Sequence, residues 1–310
     1  MASLTLAEAQ KRISNQLIKG VVQDVLTTNP MWNMLPWIGY EGAAVGINRE
    51  DTGGDAQNLA VGGTITAKGA QSTVLDYHTA VTTIGDVEMN GLVKMQGSMA
   101  DLLADEISSK AKAVGRLLQT GMATGTGTSP QLNSFHSLCD ASQFTTASAG
   151  QAISFELLDE GLDLVKAKDG EVDYIVMHGR TLRAYRALVR ALGGANETVV
   201  FDMGNGRKRN VDVYNNIPIF QNDYLSVTET ANGAALTTGA LTSVYCGTFD
   251  DGSKKVGSGM IYPAGASVGF DVEPVGKSET KDEEIWRVKS YSNFVNFNRR
   301  GLARITSINN

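Results

Sequence analysis

Apolar residues recur along this chain with two periods, and the switches between them mark its sections. Between residues 4 and 26, Leu6, Ala9, Ile13, Leu17, Val21 and Val25 return at three- and four-residue steps. That spacing predicts an amphipathic helical arm, which needs a surface to lie on. Pro30 and Pro36 break the helix, and Trp32, Leu35, Trp37 and Tyr40 make a sticky extended segment. Such anchors are expected to pack on a neighbouring molecule, with packing on the chain's own body as the close alternative.

Residues 41–84 change texture. Gly46, Gly53, Gly54, Gly62, Gly63 and Gly69 punctuate short β-branched runs, with Val45, Ile47 and Arg49 alternating outward and Thr73, Val74 and Val81 to Ile84 on the return. The pattern predicts a long projecting two-stranded arm with too few large apolar groups to be stable alone. Residues 98–120 are the clearest helix: Met99, Leu103, Ile107, Ala111, Val114 and Leu118 form its stripe, Ser98 and Asp101 suit a capping box, and Gly121 closes it. At 1.5 Å per residue it would span about 34 Å, the length of a structural spine.

From 153 onward helix and strand alternate. Ser154 caps a helix ending near Gly170, VDYIVM (172–177) reads as a buried strand, and 181–192 form a second helix closed by Gly193-Gly194. Strands are expected within 211–220, a hairpin across 244–249 and 256–262, and further strands at 268–275, 286–297 and 302–308. The spine helix must cover the last of these, so residues 153–265 are inserted into another unit.

Composition narrows the functions. A net charge of −6 opposes a protein built to grip nucleic acid. The charge is uneven: Arg287, Lys289, Arg299, Arg300 and Arg304 fall in the last 26 residues, which hold no acid, and the first 284 carry 22 basic against 33 acidic groups. An acidic body with a basic end favours self-association, a solvated strand face being the equal alternative. No apolar run is long enough for a membrane span, and the first twelve residues lack a secretory pattern.

Candidate chemistry is sparse. Cys139 and Cys246 lie far apart, and His78, His136 and His178 lack ligand spacing, so neither a metal nor a cofactor is expected. Gly125-Thr126-Gly127-Thr128-Ser129-Pro130 has no lysine and follows a helix, which excludes a phosphate loop and leaves a turn needing positive φ. No G-x-S-x-G elbow occurs, and paired acids such as Asp159-Glu160 are adjacent and point apart. Catalytic residues are therefore expected to be absent. Arg183, Arg186 and Arg190 share one helix face but lack the aromatic platform of a nucleic-acid stripe.

Taken in order, these segments resemble the major capsid proteins of tailed bacteriophages, the Hong Kong 97 fold. NPMWNMLPWIGYEGAAVGINRED resembles the N-arm entering the extended loop, and MQGSMADLLADEISSKAKAVGRLLQTG resembles the spine helix. GTGTSPQLNSF resembles the glycine turn and proline that follow it, with Gln131 where the family often has glycine. VDYIVMHGRTLRAYRAL, IPIFQNDYL, SVYCGTFDDG and WRVKSYSNFVNFNRRGLARITSI resemble axial-domain and closing strands.

The resemblance implies an α+β capsid fold: N-terminal arm 1–40, extended loop 41–84, peripheral domain 85–152 and 266–310 with spine helix 98–120, and axial domain 153–265. It implies a non-enzymatic shell protein that forms pentamers and hexamers and packages double-stranded DNA without sequence-specific binding. Expected partners are a separate scaffolding protein, a portal and a decoration protein, with no membrane; the expected place is the virion, assembled in the host cytoplasm. Maturation without a large N-terminal cleavage is also expected. Trp32, Trp37, Arg49, Lys68, Arg299, Arg300 and Arg304 are the expected inter-subunit contacts. Some relatives cross-link through a loop lysine; nothing supplies an acceptor for Lys68, so that chemistry is not carried over. An encapsulin-type compartment shell and a soluble α/β hydrolase are the alternatives.

Overall fold

A computed structural model describes residues 34–52, 55–70, 72–92, 99–168, 170–194, 197–202, 208–233, 235–250 and 257–309. The predicted helix at 4–26, Trp32 and the Ser98 cap lie outside these.

Two sheets form the body. In the first, β1 (Trp37–Tyr40) runs parallel to β11 (Ser258–Pro263), β11 pairs with β13 (Glu283–Asn296), and β13 also pairs with β12 (Asp271–Lys277) and β4 (Val81–Asn90). The second follows the order β5 (Phe144–Gln151), β14 (Leu302–Ile308), β10 (Thr242–Gly247), β6 (Tyr174–Met177), β9 (Ile217–Gln221), β8 (Lys208–Tyr214), β7 (Thr198–Asp202). A separate antiparallel ribbon joins β2 (Val45–Thr52) to β3 (Ser72–His78).

The spine helix α1 (Met99–Thr124) buries Leu103, Ile107, Ala111, Val114, Leu118 and Met122 against β4 and β13. Gly121 does not end it. The helix runs on to Thr124, and the glycine instead admits a close neighbour: a Cβ on Gly121 would sit 2.6 Å from Leu132 Cδ1. The turn that follows behaves as its glycines require, with Gly127 at φ +73°. Gly125 is held by its surroundings, since a Cβ there would lie 2.2 Å from the Leu132 carbonyl oxygen, which cannot move aside. Gly125→Ala is expected to destabilise the chain by about 1–3 kcal/mol in thermal or urea denaturation.

Phe135, in the short helix α2 (Phe135–Leu138), sits between the sheets, its ring 4.7 Å from Phe294 and 5.6 Å from Tyr245. The opposite face of the second sheet is covered by α3 (Phe155–Lys166) and α4 (Gly179–Ala191). Strand β6 therefore has apolar neighbours on both sides: Tyr174 and Val176 face the first core, Ile175 and Met177 the second. This explains its unbroken apolar run. Ser154 caps α3 by accepting the Leu157 amide, and His178 caps α4 by accepting the Arg180 amide on Nδ1.

Several expectations change. Leu35 is buried in the chain's own core and Trp37 packs edge-on against Tyr262, so this segment lies on its own body as β1. Residues 81–84 belong to β4, not to the returning arm, because their alternation pairs them with β13. Residues 244–262 form no hairpin: β10 and β11 lie in different sheets, joined near Phe249 and Ser258 by one parallel bridge. Sheet membership also crosses the expected 153–265 boundary, with β11 in the first sheet and β5 and β14 in the second.

Candidate assembly surfaces

Among the described residues, β2 and β3 pair only with each other. At its base, Val45 is buried against Ile261, Val295 and Phe297, with Ile38, Tyr40 and Ile47 packed around them. The Thr79 carbonyl accepts from Asn293 Nδ2, and the Ala80 amide donates to Tyr40 Oη. Beyond that base the apolar groups turn outward: Tyr77 is 67% exposed and Leu75 47%, on the face opposite Val45, and Leu59 and Ile65 are exposed further out. Tyr77 and Leu75 lie side by side over Gly46, which leaves an apolar stripe on that face, and Val74 is exposed on the other. Local contacts order residues 55–69: Gln57 Oε1 accepts the Thr66 and Ala67 amides, and Asp55 Oδ2 accepts that of Gly69. Arg49 stands opposite Val74 in the ribbon, and Lys68 is exposed.

A second surface lies beside the spine helix. Leu117, 58% exposed, borders a groove of about 520 Å³ that also involves Ile84, Thr120, Thr124 and Leu132.

The basic C-terminal stretch is occupied largely within the chain. Arg287 makes two hydrogen bonds to Asp86, its direct cross-strand partner. That pairing holds the Asp86 carboxyl below the usual range, its hydrogen bond from Arg287 outweighing burial. Lys289 donates to Glu273 at 2.6 Å, and Arg299 lies 3.3 Å from Asp140. Arg300 is exposed and forms no ion pair among the described residues.

Arg304 corrects the expectation most plainly. It is 0% exposed, its Nη2 lies 3.0 Å from Glu229 Oε2, and Nε donates to Ser243 Oγ. Phe144 and Tyr245 flank the guanidinium. It cannot meet another subunit, because residues 229–233 cover it: a Cβ on Gly233 would lie 2.1 Å from Nη2. Burial pushes the Glu229 carboxyl above its ordinary range, and Arg304 and Ser243 pull it back. Sequence alternation placed Arg304 on a strand face but gave no sign that a distant segment closes over it.

His136 reaches the same neighbourhood. Burial, then Arg304, lowers its pKa to about 4. A depressed histidine pKa means the unfolded chain binds the proton more readily, so stability is lost as pH falls from about 6.5 towards 4. His136→Gln is expected to flatten that part of the stability–pH curve. Cys139 and Cys246 are buried free thiols; burial pushes Cys139 far up and Cys246 to about 12. Among the described residues no cluster of three His, Cys, Asp or Glu side chains could hold a metal, and no helix is long and apolar enough to cross a membrane.

Neither models of known protein families nor curated protein sequences match the chain. Solved structures do. The SrpI encapsulin of Synechococcus elongatus matches with a TM-score of 0.64 at 13% identity, over 90% of this chain and 87% of that one. The capsid of a native GTA particle gives 0.56 at 12% identity, over 89% and 88%. The major capsid protein gp27 of phage G, solved with its gp26 decoration protein, gives 0.55 at 12% identity, over 90% and 89%. The chain thus has the Hong Kong 97 type capsid fold, mixed helix and sheet, shared by shell proteins of phages and encapsulins.

Proposed function

We infer that this chain is the major capsid protein of a tailed bacteriophage, a non-enzymatic subunit whose pentamers and hexamers close an icosahedral shell around double-stranded DNA. The observation that carries this reading is the β2–β3 ribbon, which is anchored at its base and turns Tyr77 and Leu75 to solvent. A ribbon with an exposed apolar stripe and two free edges gains stability only against another molecule. In a shell each copy supplies that surface to the next, and head-to-tail contacts close into rings. Arg49, Lys68, Arg299 and Arg300 are proposed to lie near such contacts, together with Tyr77 and Leu75. Arg300 is exposed and has no ion pair among the described residues, so Arg300→Glu should leave the melting temperature unchanged and weaken assembly in a salt-dependent way. The net charge of −6 suits a container that must not grip its DNA.

A scaffolding protein, a portal and a decoration protein are proposed partners, the virion the proposed location and the host cytoplasm the place of assembly. An encapsulin-type compartment is the second reading, favoured by the higher TM-score of the SrpI encapsulin, 0.64 against 0.53–0.57 for the phage and GTA capsids. Nucleic acid in nuclease-treated particles separates the two. Protected genome-length DNA supports the capsid, whereas DNA-free particles containing a co-purifying enzyme support the compartment and overturn it.

A further inference from the structure

The helix layer on the second sheet carries opposite charge on its two flanks. α3 and α4 lie side by side on one face of that sheet, with the Phe155 ring of α3 6.0 Å from the Tyr185 ring of α4. α3 holds Glu156, Asp159, Glu160 and Asp163 against Lys166 alone. α4 holds Arg180, Arg183, Arg186 and Arg190 and no acid. Spacing sorts these charges further. Glu156, Glu160 and Asp163 recur at steps of four and three, and Arg183, Arg186 and Arg190 at steps of three and four, so each set shares one helix face. Both stripes run about 10 Å along their helices at 1.5 Å per residue.

Contacts with the sheet show where each stripe lies. Glu160 Oε2 accepts a hydrogen bond from Thr145 Oγ1 on β5, the edge strand at one end of the sheet. Arg186 Nε donates to Asp212 Oδ2 on β8, which neighbours β7, the edge strand at the other end. Asp159 lies instead on the α4 side, where Tyr214 Oη donates to it. The acidic stripe therefore flanks one end of the layer and the basic stripe the opposite end. Glu156, Glu160, Asp163, Arg183 and Arg190 are exposed, and none of them forms an ion pair among the described residues. Arg186, paired with Asp212 at 2.7 Å, keeps 42% of its side chain exposed.

We propose that the arginine stripe of α4 docks on the acidic stripe of α3 in a second copy of this chain. The complement to each stripe is present on the chain itself, at equal length. Because the two flank opposite ends of the layer, one neighbour cannot engage both, and the contact is head-to-tail. Such a contact closes into a ring or runs on as a filament. Closure into a ring rests on the shell reading above, whereas the pairing rests on the two helices alone. Exposed ion pairs contribute little one at a time, but three on a flank set orientation, and guanidinium forks meet carboxylates with two hydrogen bonds each.

Charge exchange tests it. Arg183→Glu with Arg190→Glu puts acid on both flanks, and Glu160→Arg with Asp163→Arg puts base on both. Each double variant should keep its circular dichroism spectrum and lose about tenfold or more in particle yield. The chain carrying all four substitutions regains complementary flanks and should assemble again, which a folding defect would not allow. Mixed in dilute solution at low salt, the two double variants should bind each other, and about tenfold more weakly near about 0.5 M salt. Sedimentation reads that binding without a shell, so a parent chain that forms no particles removes the shell reading and leaves the pairing to be judged by the mixture. Normal assembly of either double variant, no recovery in the fourfold variant, or no binding in the mixture would overturn the proposal.

Discussion

Replacing Glu229 with glutamine is expected to destabilise the folded chain by about 3–5 kcal/mol, the range for breaking a buried ion pair. Glu229 is 2% exposed and Arg304 0%, so the substitution strands a cation that water cannot reach. Few groups are available to compensate. Arg304 Nε already donates to Ser243, and Phe144 and Tyr245 offer only ring faces. The loss should spread along the segment, because the Glu229 backbone exchanges hydrogen bonds with Leu241 and the Asn232 amide donates to Ser307 Oγ. Arg304→Met combined with Glu229→Met should be less destabilised than Glu229→Gln, since no charge remains buried. Urea denaturation of the three proteins measures this. A loss under about 1 kcal/mol for Glu229→Gln would mean that Arg304 finds another partner.

Shortening the ribbon should have the opposite profile, with folding kept and assembly lost. Ile47 and Asp76 are cross-strand partners, so residues 48–75 can be replaced by Asn-Gly without disturbing Val45 or the Thr79 and Ala80 hydrogen bonds. The removed part includes exposed Leu59, Ile65 and Leu75. The shortened chain is expected to unfold cooperatively with a midpoint near that of the parent, and shells should not form. Normal shells from the shortened chain would refute the role given to the ribbon. Aggregation of the monomer would place the segment in the fold's own core.

Local pattern made much of this architecture legible. The spine helix, the capped α3, the doubly buried β6 and the projecting ribbon all follow from periodicity and glycine placement. What sequence could not supply was sheet partnership. β10 and β11 are close in sequence and read as a hairpin, yet they enter different sheets, β10 between β14 and β6 and β11 between β1 and β13. Gly121 reads as a stop, and only the position of Leu132 reveals a close approach inside a continuing helix. The basic C-terminal end reads as a free surface because its acidic partners, Asp86, Asp140, Glu229 and Glu273, are distant in sequence. The ribbon proposed to serve assembly was legible in outline: its place, glycine content and shortage of core residues are local properties. Which face of the ribbon is exposed depended on the burial of Val45.

Assembly itself is the direct test. Sedimentation and electron microscopy of the purified chain, co-expressed with the proposed scaffolding protein, should show closed megadalton particles of uniform diameter. A chain that stays monomeric or forms only a small oligomer under those conditions would contradict the shell assignment.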